Sequence, residues 1–114
     1  MSLDEFLDKL SRLRLRGERV EWVPIGMAGA IRCVTAAGSY CPITAVCKAE
    51  TGVRIPPILY DKAAEAIGLA ASGALRIANA SDNRYPGYAD LPSQTLLRIR
   101  LLKACRLEKY DVDH

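Results

Sequence analysis

The stretch that decides the fold is Cys41-Pro42-Ile43-Thr44-Ala45-Val46-Cys47-Lys48-Ala49-Glu50-Thr51-Gly52. It carries the start and stop signals of a helix. Pro42 suits the first helical position, where its missing N–H needs no partner, and Gly52 suits the left-handed position after the last turn. Ile43, Val46 and Cys47 fall on one face. We predict a short central helix that joins an N-terminal helix and hairpin to a purely helical C-terminal half.

The N-terminal segment predicts the first helix. Ser2 and Glu5 have the spacing of a capping box, in which the two side chains satisfy backbone N–H groups at the helix start. An apolar stripe follows at helical spacing, and Gly17 is a natural terminator. The stripe consists of Leu3, Phe6, Leu7, Leu10 and Leu13. We expect it to face the core.

Between Gly17 and Gly38 the apolar period changes to two, which is typical of a β-hairpin with its turn at residues 26–29. Pro24 predicts that the first strand lies at an edge or bends there. A lone hairpin is marginal in water. We therefore expect its apolar face, anchored by Trp22, to pack against the first and central helices.

The C-terminal half predicts an extended connector through Pro56 and Pro57 and then short helices. The helix after the connector has apolar residues at four-residue spacing, namely Leu59, Ala63 and Ile67. It should end at Gly68, and Ser72 should cap the next helix, so that the two form an αα-hairpin.

The last part of the chain predicts a loop over residues 80–92 and a final helix from Ser93. Residues 108–114 form a polar tail that is expected to fray. The fold class is therefore α+β. We predict a mainly helical single domain over residues 1–114, with an N-terminal helix, one β-hairpin and about four further short helices.

Length and composition fit one globular domain without a membrane span. The chain has 114 residues, of which 50% are hydrophobic and 25% charged, and these values exclude a wholly disordered protein. Its uncharged runs are shorter than the roughly 20 apolar residues of a membrane helix. The acidic start differs from a signal peptide. We expect a cytoplasmic protein.

The four cysteines are expected to be free thiols, because cytosolic thiols are normally reduced. They are separated by seven, five and fifty-seven residues, which is unlike zinc-ligand spacing. Cys41, at a helix N-terminus, is the candidate nucleophile, but the only histidine, His114, lies in the polar tail. We therefore predict neither metal nor cofactor, and no enzyme. Cys41 is interpreted as a capping or buried thiol.

A nucleic-acid-binding regulator is the alternative function. Ala64, Gly68 and Ile77 have helix-turn-helix spacing, yet the helix that would read bases offers only Arg76 and Asn79 as long or amide side chains. A packing hairpin over residues 60–80 is the favoured interpretation. Two basic runs could follow phosphates, namely Arg12, Arg14, Arg16 and Arg19, and Arg98, Arg100, Lys103 and Arg106.

The polar loop Asp82-Asn83-Arg84-Tyr85-Pro86-Gly87-Tyr88 is the candidate for partner binding, because tyrosine and arginine dominate protein–protein hot spots. The alternative is that both tyrosine rings cover the core. Net charge is +3, and 11 of the 16 cations are arginine, which favours an acidic partner. The predicted site comprises Asp82, Asn83, Arg84, Tyr85, Tyr88, Arg100, Lys103 and Arg106.

The sequence also resembles uncharacterised small proteins encoded by phages and prophages. The resemblance rests on residues 41–46, 63–69, 77–83 and 101–105. It implies a small accessory protein that binds and blocks a host protein, as anti-CRISPR proteins do. It carries over no functional residue.

Overall fold

A computed structural model describes residues 1–13, 19–25, 28–35, 38–84, 87 and 90–106. This part of the chain contains five helices and three strands. In chain order they are α1 (Leu3–Arg12), β1 (Arg19–Ile25), β2 (Ala28–Thr35), β3 (Gly38–Tyr40), α2 (Pro42–Thr51), α3 (Tyr60–Ala66), α4 (Ala71–Ser81) and α5 (Leu91–Cys105). The predicted fold class, α+β and mainly helical, is confirmed.

Helix α2 is the central element, as its start and stop signals predict. It contacts α1, α3, α4, β2 and β3. The N-cap is Cys41, whose Sγ accepts a hydrogen bond from the N–H of Thr44 at 3.5 Å, and Gly52 ends the helix with φ at 71°. Residues 42–47 are all buried. This N-terminal part of the helix can be buried on every side because it carries no charged side chain, whereas Glu50 and Thr51 at the other end are exposed.

Helix α1 begins as the capping-box spacing predicts. The Oγ of Ser2 accepts a hydrogen bond from the N–H of Glu5 at 3.1 Å. The stripe of Phe6, Leu7 and Leu10 is buried in the main hydrophobic cluster, which also contains residues from β2 and the other four helices.

The sheet is antiparallel, with strand order β1-β2-β3. Strand β1 is an edge strand, as Pro24 predicts, and the backbone of Trp22 is paired with that of Ile31. The side chain of Trp22 lies outside the described residues, so its predicted anchoring role stays a prediction. Ile31 and Cys33 of β2 are fully buried. Strand β3 is an addition to the predicted hairpin. The sequence does not predict it, because three residues are too few to display an apolar period of two.

Three predicted helix details are wrong. Helix α4 begins at Ala71 after the N-cap Ala70, so Ser72 does not cap it. Helix α5 begins at Leu91 rather than Ser93, because Pro92 is compatible with the first helical turn. Leu59 precedes α3 and is 64% exposed instead of facing the core.

Arg98 is buried at the interface between α4 and α5, which corrects its interpretation as part of an exposed basic run. Its side chain is only 1% exposed, and Nη1 donates hydrogen bonds to the carbonyls of Ala80 at 2.7 Å and Ser81 at 3.2 Å. The last carbonyls of a helix have no partner within the helix and carry its negative dipole end. Arg98, on α5, therefore supplies hydrogen bonds to carbonyl groups at the C-terminal end of α4.

A second polar contact aligns the same two helices one turn earlier on α5. Gln94 is buried, and its Nε2 donates to the carbonyl of Arg76 at 2.9 Å. The guanidinium of Arg76 in turn donates to the Oγ of Ser93 at 2.9 Å. These bonds fix the position of α5 along α4, since shifting either helix by one residue would break them.

Replacing Arg98 with Met should lower the free energy of unfolding by about 2–3 kcal/mol, because two carbonyls inside the protein lose a charged donor. Arg100→Met is the matched control, since Arg100 is exposed in part and pairs with Asp4 on the surface. The control should cost less than about 1 kcal/mol. Urea denaturation of both variants measures the difference, and equal losses would contradict the capping role of Arg98.

Candidate functional site

A cleft opens between the start of α2 and the C-terminal half of α4. Its volume is about 210 Å³. Ile43, Leu75 and Ile77 supply apolar walls, while Asn79 and Arg84 supply polar groups. The remaining lining residues are Cys41, Pro42, Tyr60, Ala78, Ser81 and Asp82. A mainly apolar hollow with a few polar groups is the usual form of a binding site.

The turn after α4 places Arg84 beside this cleft. Asn83 adopts the left-handed conformation with φ at 56°. The N–H of Arg84 then donates to the carbonyl of Asn79 at 2.7 Å, and the N–H of Asn83 donates to that of Ala80 at 3.3 Å. This bond pattern is a Schellman motif, in which asparagine takes the position that glycine usually occupies. The chain therefore reverses sharply at residues 82–84.

Asp82 connects the turn to the sheet. Its Oδ1 lies 3.8 Å from Nη1 of Arg32 on β2, and the Oγ of Ser81 donates to the carbonyl of Ile31 at 3.4 Å. Both contacts join the end of α4 to the middle strand. One wall of the cleft is thereby fixed relative to the sheet.

A second hollow, of about 460 Å³, lies beside β3. Gly38, Ser39 and Tyr40 line it along the strand, and Ile58 lines it from the connector between α2 and α3. Its other lining residues are Arg32, Cys41 and Thr44. Because Cys41 lines both hollows, they adjoin at the start of α2.

Exposed apolar side chains surround this region. In the connector, Ile55 is 83% exposed, Ile58 is 87% exposed and Leu59 is 64% exposed. Leu75, at the cleft, is 38% exposed. Scattered apolar residues are normal on a protein surface, but three within five positions, one of which lines the hollow at β3, are typical of an interaction site.

Cys41 has a structural role in these contacts. Besides accepting from the N–H of Thr44, its Sγ lies 3.2 Å from the hydroxyl of the same residue. The four cysteines occur as thiols, and Cys33, Cys47 and Cys105 are buried. Among the described residues, no three histidine, cysteine or acidic side chains cluster in a way that could hold a metal ion.

The structure places the residues of the predicted site on different sides of α5. Asp82, Asn83 and Arg84 form the turn at the cleft, whereas Tyr85 and Tyr88 lie outside the described residues. Arg100 forms an ion pair with Asp4 of α1. Residues 98 and 100 are about 200° apart around a helix, so Arg100 points away from the end of α4 that Arg98 contacts. The side chains of Lys103 and Arg106 are exposed.

The α3–α4 pair is an αα-hairpin with buried residues at its contact. Ala64 and Ile77, two of the helix-turn-helix positions, are buried, and Gly68 takes a positive φ of 71° in the connecting turn. The ammonium group of Met1 donates to the carbonyl of Gly68 at 2.7 Å, so the N-terminus lies against that turn. Arg76, a candidate base reader, is bonded to Ser93.

Sequence reasoning missed the apolar connector as part of the site. The available signal was the pair Ile55 and Ile58 on either side of two prolines, because no helical or strand period assigns these two residues to a buried face; Leu59 was assigned to the period of the next helix. Ser39 and the edge of β3 were missed because the strand itself was not predicted.

Comparison with known proteins gives no family for this chain. Its sequence matches no protein-family description and no curated protein, and its fold matches no solved structure. No helix in the described ranges has the length and apolar character needed to cross a bilayer.

Replacing Cys41 with Ser should leave fold and function nearly unchanged, because serine also caps a helix through its side-chain oxygen. Cys41→Ala is the matched control: it lacks a capping atom and should lose about 1 kcal/mol of stability. Thermal unfolding of both variants measures the effect. A Cys41→Ser protein that folds normally but loses all activity would show that the thiol itself is chemically required.

Proposed function

We propose that this protein is a small non-enzymatic module that binds another protein through the surface around the start of α2. The supporting observation is the exposure of Ile55, Ile58 and Leu59 in one connector, where Ile58 lines the hollow at β3 and Leu59 directly precedes Tyr60, which lines the cleft. We call these three side chains with the two hollows the connector surface.

The energetics of the connector surface favour a protein partner. Covering an exposed isoleucine or leucine side chain contributes roughly 1.5–3 kcal/mol, so Ile58 and Leu59 alone could supply much of the affinity of a moderate complex. Pro56 and Pro57 lie between α2 and these two residues, and they restrict the backbone of the connector. A surface whose backbone is already ordered loses less entropy on binding.

The cleft gives the surface a means of selecting its partner. An apolar side chain of the partner can enter between Ile43 and Leu75, while Asn79 and Arg84 at the polar side provide hydrogen bonds. Anchors that fill a pocket inside a ring of less important contacts are the usual hot spots of protein interfaces. The Asp82–Arg84 part of the predicted site belongs to this arrangement.

The role of the interaction is inferred from the phage and prophage resemblance. Such an accessory protein would bind and inhibit a host protein, in the manner of anti-CRISPR proteins. A net charge of +3 supports a partner with an acidic surface. Lys103, in the last turn of α5, and Arg106, directly after the helix, are exposed and stay predicted binding residues for such a partner.

Nucleic-acid binding remains the alternative, with less support. Of the C-terminal basic run, Arg98 is buried and Arg100 is paired with Asp4, which leaves Lys103 and Arg106. Phosphate contacts would make binding fall steeply with salt concentration.

The double variant Ile58→Ser and Leu59→Ser should abolish partner capture from a bacterial lysate while the protein remains folded. Both side chains are exposed, so their loss removes binding area and little core packing. Quantitative mass spectrometry of the bound fraction should show at least a tenfold loss of the partner, which corresponds to about 1.4 kcal/mol.

Leu96→Ser is the matched control, because Leu96 is 57% exposed on α5 and lies outside both hollows. It should capture the partner as the unmodified protein does. Equal capture by all three proteins would contradict the connector surface. A bound fraction that consists of nucleic acid, and that disappears with added salt and with Arg76→Ala, would replace the proposed function with the alternative.

A further inference from the structure

We propose that the partner contributes an extended, acidic segment that pairs with the outer edge of β3 as an additional strand. This inference rests on the proposed function and specifies the form of the partner. It follows from the position of β3 in the sheet, the hollow that the residues of β3 line and the charges that line the two hollows.

In the sheet that the described residues form, strand β3 is the end strand and pairs with β2 alone. Thr35 and Gly38 are paired across two intervening residues, the separation at which the first and last residues of a hairpin turn are hydrogen-bonded. Bonded and non-bonded pairs alternate along antiparallel strands. The next pair, Val34 and Ser39, is then non-bonded. Ser39 therefore directs its N–H and C=O away from β2.

An outward pair of backbone groups on an edge strand is complementary to another extended backbone. Ser39 is exposed, and the hollow of about 460 Å³ begins at its strand, so a segment can approach the edge. A helix cannot make these bonds, because its own N–H and C=O groups are already paired. The backbone chemistry of the edge thus selects an extended partner.

The side chains around the edge fit the alternating faces of a strand. On one side, Ile58 offers an exposed apolar contact across the hollow. Further along the chain, Cys41 lines both the hollow at β3 and the cleft, which Leu75 also lines. A segment that follows β3 can therefore place one apolar side chain on Ile58 and a later one in the cleft.

The charges favour an acidic segment. Among the described residues that line the two hollows, the ionic side chains are the guanidinium groups of Arg32 and Arg84 and the carboxylate of Asp82. Arg32 and Asp82 are 3.8 Å apart, longer than a charge-assisted hydrogen bond, so Arg32 retains donors for a second carboxylate. A basic segment would be repelled by the same two arginine side chains.

The test uses a random twelve-residue peptide library displayed on phage and selected against the immobilised full chain. Enriched peptides should alternate apolar residues with at least one acidic residue. Their affinities are then measured by fluorescence polarisation with the synthetic peptides. In amide NMR spectra of the protein, the Ser39 N–H should shift and become protected from hydrogen exchange when peptide is added.

Ser39→Pro is the discriminating variant, because proline removes the outward N–H and is tolerated on an edge strand. It should weaken peptide binding by at least about tenfold, whereas Ser39→Ala, which keeps the N–H, should bind as the unmodified protein does. Arg32→Gln should weaken binding by about three- to tenfold and reduce its dependence on salt.

Several results would overturn the strand pairing. They are the absence of enriched peptides, equal binding by Ser39→Pro and Ser39→Ala, and an unchanged, unprotected Ser39 amide. The amide measurement decides the question even if the proline variant does not fold. A dimer in light scattering that Ser39→Pro dissociates would assign the edge to a second copy instead. If the Ile58 and Leu59 variant loses its lysate partner but Ser39→Pro keeps it, the proposed function stands and this inference is wrong.

Discussion

The carbonyl groups at the C-terminal end of α4 lie inside the protein and need hydrogen-bond donors that water cannot supply. Arg98 of α5 donates hydrogen bonds to two of these carbonyls, and this contact determines how the neighbouring elements are arranged. It fixes α5 against α4, and it lets the chain reverse at Asn83 directly above the sheet. The cleft, the Arg84 side chain and the link between Asp82 and β2 all depend on that reversal. Without Arg98 the carbonyl of Ala80 would be left with the longer bond from the Asn83 N–H and that of Ser81 would lose its charged donor, which is costly inside the protein, so the position of α5 is strongly specified.

How much of the fold was predictable depends on how local the signals are. Helix α2 was predicted with its boundaries, because Pro42 and Gly52 act on their own backbone and need no distant partner. The interpretation of Arg98 as an exposed cation is wrong because it relies on the charge of the side chain and not on the position of the residue in the helix. It precedes Leu101, Leu102 and Cys105 by three, four and seven residues, which is the spacing of one buried helix face. The partner that makes its burial favourable lies 17 and 18 residues earlier, at the end of another helix.

The candidate site was predictable in part for the same reason. The turn at residues 82–84 is recognisable from its polar residue types. The connector surface was not, because periodicity assigns apolar residues such as Leu59 to the core, and only the three-dimensional path of the connector shows that they are exposed. The hollow at β3 combines residues from β2, β3, α2 and the connector, which no single stretch of sequence reveals.

The packing of α1 against α5 has a consequence for the order in which the chain folds. Asp4 and Arg100 are 96 positions apart, whereas each strand of the sheet pairs with its immediate neighbour in sequence. The strands can pair as neighbours while the chain is being synthesised, and α1 can pack on α2 early, but the contact between α1 and α5 forms only after residues 91–105 have been made. A nascent chain that stops short of α5 therefore lacks the packing of α5 on α1 and the Arg98 donor for α4. Among the described elements α5 is synthesised last, and its arrival completes the contacts of both of these earlier helices.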